Sequence, residues 1–162
     1  MPLIVILDDQ ATNRRIFEKL AASIEEDVTV RAFAGPREAL DWLEDGAVPD
    51  LIVTDYKMPE MNGAEFIRAF REKARFVEIP IIVITVYEER AFRMRALEAG
   101  ATDFLQSPVD HQEFVTRARN LLKLRKQQLL LESRAQTLAK ELASSEHSRE
   151  EVLRDSTERL AQ

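Results

Sequence analysis

Asp8 and Asp9 stand side by side at the end of the aliphatic run LIVIL, and Asp55 ends a second such run, LIVT. Two like charges about 4 Å apart repel by roughly 4 kcal/mol at an effective dielectric near 20. Acids placed there call for an offsetting partner. Three carboxylates around one point form a hard-oxygen cage that suits magnesium, which takes one or two carboxylates directly and fills its remaining positions with water and substrate oxygens. Other strand-end groups extend the set: Thr85 closes the run IIVIT with a hydroxyl, and Ser107 with Pro108 follows TDFLQ. Acid cage, metal and hydroxyl together suit phosphoryl chemistry, with Asp55 as a nucleophile that forms an aspartyl phosphate. Taken singly, each residue has a plainer explanation: a helix-capping acid, a β-forming threonine, a core aromatic at Phe104, a solvated lysine at Lys57. The ordered set carries the weight.

Positioning these groups requires a sheet. Five short runs rich in Val and Ile, Leu3–Leu7, Val28–Phe33, Leu51–Thr54, Ile81–Thr85 and Thr102–Leu105, alternate with helical patterns. The first, third and fourth are continuously apolar, as strands covered on both faces are. NRRIFEKLAASI, GPREALDWLEDG, NGAEFIRAFREKA and EERAFRMRALEAG supply the intervening helices. The alternation predicts a doubly wound α/β domain with right-handed crossovers. In such a sheet ligands bind beyond the carboxyl ends of the strands. The three acids converge there if the first and third strands are neighbours.

Composition narrows the choice of function. The chain has 162 residues, no cysteine and only two histidines, His111 and His147, which excludes disulfides and thiolate metal sites and argues against a histidine-built zinc or triad site. A formal net charge of −6 disfavours direct nucleic-acid binding. No apolar run approaches the roughly 20 residues of a membrane span. The start MPLIVILDD lacks a basic region and a cleavage site, so no signal peptide is expected and the cytoplasm is the simplest compartment.

From about Asp110 glycine and proline disappear and the chain becomes charged, leucine-bearing and helix-forming. Three-four spacing through Leu121, Leu124, Gln128, Leu131, Ala135, Leu138 and Leu142 makes a heptad seam, which falters at Ser145 and Arg149 and returns off register near Val152 and Leu160. The expected organisation is a domain over 1–125 and, over 126–162, a coiled-coil signalling helix continuing the last domain helix and joining two copies.

In ILDDQ, DLIVTDYKMPEMNG, IPIIVITVYEER and AGATDFLQSPVD, taken in order and at family spacing, residues 1 to about 125 resemble the receiver domain of two-component response regulators. The resemblance implies a five-stranded parallel sheet in order 2-1-3-4-5 with five helices, and Asp55 as the phosphoacceptor. It implies magnesium held directly by Asp9 and Asp55, through water by Asp8, and by the backbone carbonyl of Lys57. Thr85 would move to hydrogen-bond the phosphoryl group, Phe104 would be the aromatic whose rotamer follows it, and Met58, Pro59 and Gly63 would shape the loop after Asp55. The phosphoryl donor would be a sensor histidine kinase or phosphotransfer protein. A weaker resemblance links residues 129–162 to the helices preceding HD-GYP cyclic-di-GMP phosphodiesterase domains; a diguanylate cyclase or histidine kinase output is an alternative. No output domain is expected within the chain, which is read as a regulatory module and not as an enzyme.

Two positions depart from the family pattern. Ser107 stands where the family has a lysine, which keeps a hydrogen-bond donor but loses the charge and several ångströms of reach. A nearby basic side chain, such as Lys57 or Arg90, is a candidate to substitute. Val86 follows Thr85 where a small residue is usual, and its bulk should hinder access to the acceptor. Ser107 supports a competing reading, a pseudo-receiver serving as a constitutive dimerisation module. A phosphatase using Asp55 as nucleophile is disfavoured because Lys57 occupies the position where that class carries its acid.

Overall fold

A computed structural model describes residues 1–86 and 90–161. The strands are β1 (Leu3–Leu7), β2 (Thr29–Phe33), β3 (Leu51–Asp55), β4 (Ile81–Thr85) and β5 (Asp103–Gln106). The helices are α1 (Ala11–Ala22), α2 (Pro36–Glu44), α3 (Gly63–Arg71), α4 (Arg90–Ala99) and α5 (His111–Ala161). The five strands form one parallel sheet in the order β2-β1-β3-β4-β5, so β1 and β3 are neighbours. This is the α/β architecture the sequence predicts. The helix expected over 88–100 is described from Arg90 onward; residues 87–89 lie outside the described residues.

Alternation along each strand builds two cores. Val5, Leu7, Ile52 and Val83 face one way, into a layer with Phe66, Phe70 and Phe76. Ile4, Ile6, Leu51, Val53, Ile82 and Ile84 face the other way, onto Phe17 of α1 and Phe114 and Leu122 of α5. Burial on both faces explains why these strands read as unbroken apolar runs rather than alternating ones. The edge strand β2 is covered less completely, in keeping with its mixed sequence TVRAF. A short 3-10 turn at Ala74–Phe76, which no periodicity announces, seats Phe76 beneath Phe70.

The chain divides into two compact units, Met1–Arg125 and Lys126–Gln162. Within the first, α5 contributes Phe114, Ala118, Leu121, Leu122 and Arg125 as buried residues. Leu121, the expected first member of the heptad seam, therefore packs into the domain core. Arg125 is 6% exposed, and its Nε lies 3.5 Å from Asp50 Oδ1, while Asp50 Oδ2 also accepts the Leu3 N–H at 2.8 Å. The second unit is helical through Ala161, and the falter at Ser145 and Arg149 does not interrupt the helix. Leu131, Leu138 and Leu142 are more than half exposed. No helix among the described residues is long and apolar enough to cross a membrane.

Candidate functional site

Register places the acids. Leu7 pairs with Thr54 across β1 and β3, so the next residues, Asp8 and Asp55, emerge side by side at the carboxyl edge. Carboxylate oxygens of Asp8, Asp9 and Asp55 all lie within 4.8 Å of one another. Asp8 is buried, with Oδ1 accepting the Gln10 N–H at 2.9 Å and its carbonyl accepting Arg14 Nη1 at 2.8 Å. Asp9 is exposed and Asp55 half-buried.

Burial is the main reason that the Asp55 carboxyl is pushed up to about 7, followed by the charges of Asp8 and Asp9, against a downward pull from the Tyr56 and Lys57 backbone amides. Burial also raises the Asp8 carboxyl, Asp9 adds to the rise, and the Gln10 amide and Arg14 oppose it. Asp8 and Asp55, raised chiefly by burial and further by neighbouring acids, converge with Asp9 on a site that fits a divalent cation of hard, oxygen-seeking character, since bound positive charge inverts that cost. Asp8, Asp9 and Asp55 are the side chains that would hold magnesium.

In the metal-free protein, folded Asp55 keeps its proton up to about pH 7, whereas an unfolded aspartic acid loses it near pH 4. This group favours the fold fully below the unfolded value, and that contribution is lost as pH rises through the folded one. Without metal, the wild-type Tm should fall more steeply from about pH 5 to about pH 8 than that of Asp55→Asn, with magnesium removing the difference. Parallel thermal profiles for the two proteins would contradict this.

The loop after β3 is fixed by backbone contacts. Met61 N–H donates to the Pro59 carbonyl at 2.8 Å, a γ-turn that holds Glu60 at φ 72. Asn62 and Glu65 form a capping box at the start of α3. Gly63 N–H donates to the Tyr56 carbonyl at 2.7 Å, and a Cβ on Gly63 would stand 2.9 Å from the Asp55 carbonyl oxygen. Glycine there lets α3 begin directly against the strand end that carries Asp55.

Thr85 is 3% exposed and shares a small cleft with Asp55, Tyr56, Lys57, Val86 and Phe92. Tyr56 and Phe92 are in ring contact at 4.8 Å. Phe104 lies one strand over, partly buried, with the Arg93 guanidinium 5.3 Å from its ring centre. Ser107 follows β5, its N–H donating to the Thr85 carbonyl at 2.7 Å. A second and larger cavity beside Asp55 includes Ser107 and exposed Val86 in its lining. Neither Lys57 nor Arg90 lines it; its basic side chain is His111, accompanied by Gln10 and Asn13. In sequence His111 stands out only as one of two histidines. Its position four residues after Ser107, opening the helix that follows the last strand, is the signal that places it at the same edge as the acids.

The family model for the response regulator receiver domain matches residues 4–119, and the chain belongs to that family. It is 40% identical over 158 residues to the cyclic di-GMP phosphodiesterase response regulator RpfG of Xanthomonas campestris pv. campestris, an alignment that covers 98% of this chain and 42% of that protein. It therefore spans less than half the length of that relative. Over 109 residues it is 34% identical to the chemotaxis protein CheY1 of Helicobacter pylori, covering 67% of this chain and 87% of the other. Among solved structures, the receiver domain of a signal transduction histidine kinase from Syntrophus aciditrophicus superposes with a TM-score of 0.68 at 28% identity, covering 76% of this chain and 91% of that one. The CheY4 chemotaxis regulator of Vibrio cholerae gives 0.68 at 25% identity, over 75% and 98%.

Proposed function

We propose that this chain is a phosphorylation-controlled signalling module in which Asp55 accepts a phosphoryl group in the presence of magnesium, and in which the C-terminal helix passes the state on as a dimeric coiled coil. The observation that carries the reading is the convergence of Asp8, Asp9 and Asp55 within 4.8 Å at the carboxyl edge of a receiver sheet. Magnesium, when bound there, would neutralise negative charge on the acceptor and the incoming group. Asp55 supplies the attacking oxygen, while Asp8, Asp9 and the Lys57 carbonyl support the cation. Thr85 offers a hydroxyl to the phosphoryl oxygens, and Phe104 follows Thr85. A sensor histidine kinase or phosphotransfer protein is the donor. The output is an attached domain or a separate effector, and the similarity to RpfG favours control of cyclic di-GMP breakdown.

Beryllofluoride with magnesium tests the first half. Amide resonances of Thr85 and Phe104 should shift in the wild type and stay fixed in Asp55→Asn. An unchanged wild-type spectrum would favour the pseudo-receiver reading, for which Ser107 in place of lysine is the specific observation.

Sedimentation tests the second half. Leu131, Leu138 and Leu142 have no covering partner within the described residues, and paired seams bury such side chains. The full chain should sediment as a dimer with or without beryllofluoride, whereas a chain ending at Arg125 should be mostly monomeric. A full chain that is monomeric until activated would refute this division of labour.

A further inference from the structure

A cavity of about 200 Å3 opens beside Asp55, between the start of α1 and the turn that joins β5 to α5. Asp8 and Asp55 line it from the strand ends, Gln10 and Asn13 from the α1 side, and Ser107 and His111 from the β5–α5 side. That space holds several waters and is enough for a small phosphorylated metabolite. Asn13 Nδ2 donates to Gln10 Oε1 at 2.8 Å, which ties those two amides together. Among the described residues that line the cavity, His111 is the only basic one. Two other basic groups near the acids do not line this cavity: Arg14 donates to the Asp8 backbone carbonyl, and Lys57 shares a separate cleft with Asp55, Thr85 and Phe92.

We infer that this cavity seats the leaving group of an acyl phosphate donor, and that His111 is a further catalytic residue that donates an N–H to the departing carboxylate oxygen. The inference rests on the proposed role of Asp55 as acceptor. In the step, an Asp55 carboxylate oxygen attacks phosphorus. The new O–P bond forms as the bond from phosphorus to the acyl oxygen breaks, and the electron pair leaves with that oxygen. The product is a free carboxylate, which needs no proton. Negative charge accumulates on the departing oxygen, where a donor placed in advance lowers the barrier. With Ser107 in place of lysine, no lysine or arginine lines the cavity among the described residues, and His111 is the side chain that can meet the donor with an N–H. A phosphoramidate behaves differently: its nitrogen is protonated before cleavage and leaves as neutral ammonia, so no anion develops for His111 to meet. His111 thereby assists donors with an acyl leaving group and leaves transfer from P–N donors, a phosphohistidine among them, unaffected.

The experiment uses the full chain with magnesium, as wild type, His111→Ala and His111→Lys. It measures labelling rates with acetyl phosphate and with phosphoramidate, and the affinity for beryllofluoride, which carries no leaving group. Loss of one charge-assisted contact should slow acetyl phosphate labelling of His111→Ala by about tenfold. Its phosphoramidate rate and beryllofluoride affinity should match wild type, and His111→Lys should keep most of the acetyl phosphate rate. An unchanged acetyl phosphate rate in His111→Ala, or an equal fall with both donors, would overturn the inference while leaving Asp55 as acceptor. A wild type labelled by neither donor would overturn both.

Discussion

Ser107→Lys should raise the rate of labelling by acetyl phosphate by roughly ten- to a hundredfold, the equivalent of one hydrogen bond to a charged group, about 1.5–3 kcal/mol. The backbone at this position is already fixed: Ser107 N–H donates to the Thr85 carbonyl at 2.7 Å, continuing the pairing of β4 with β5. Its side chain borders the cavity of about 200 Å3 that also touches Asp8 and Asp55. A lysine therefore enters open space and needs no repacking of the core. Its flexible four-carbon stem carries a compact positive charge, and the anionic groups it would meet are those that repel one another in the wild type. Two further readouts should move with the rate. The Asp55 carboxyl should titrate lower, because an added positive charge favours its ionised form. Beryllofluoride should also drive Thr85 and Phe104 further toward one arrangement, since a bias of this size shifts a two-state equilibrium by the same factor. A rate within twofold of wild type would show that the chain already supplies the missing charge in full.

Phe70→Ala should cost about 3–5 kcal/mol of stability, a large part of the roughly 5–15 kcal/mol that holds a domain of this size together. Phe70 is 1% exposed on the inner face of α3. Its ring lies 4.5 Å from that of Phe76 with an interplanar angle of 6°, and 6.0 Å from that of Phe66 at 20°. Truncation removes the middle ring of this stack and leaves a void that its neighbours cannot close without moving α3. Arg71 resists that movement: its guanidinium donates to the carbonyls of Phe76 and Val77 and, at 2.8 Å, to that of Gly100. Urea unfolding should show a lower midpoint at unchanged slope. A loss below about 1 kcal/mol would mean that the three rings do not act as a packed unit.

The fold was legible because its determinants are local and repeated. Unbroken runs such as LIVIL and IIVIT are what strands buried on both faces require, and the helical patterns between them leave few topologies. The acids were legible for the same reason, because a strand-end residue in a parallel sheet has a known address. Three features were not legible. Arg125 reads as one more charge on an exposed helix face, yet it is buried beside Asp50, a pairing across 75 positions that no periodicity encodes. Leu121 fits the heptad seam as well as Leu138 does, but the heptad does not mark where the domain core ends. His111 carries only a positional signal, its place four residues after Ser107 at the start of the last helix, and it is the turn after β5 that brings it to the cavity with Asp55.

The central claim is that Asp55 is the phosphoacceptor, and intact-mass measurement after treatment with acetyl phosphate and magnesium tests it most directly. The wild type should gain one phosphoryl group per chain, lost on exposure to base or hydroxylamine as an acyl phosphate is, and the gain should vanish without magnesium and in Asp55→Asn. An unmodified wild type under conditions that label an ordinary receiver, or an adduct that persists in Asp55→Asn, would contradict the account.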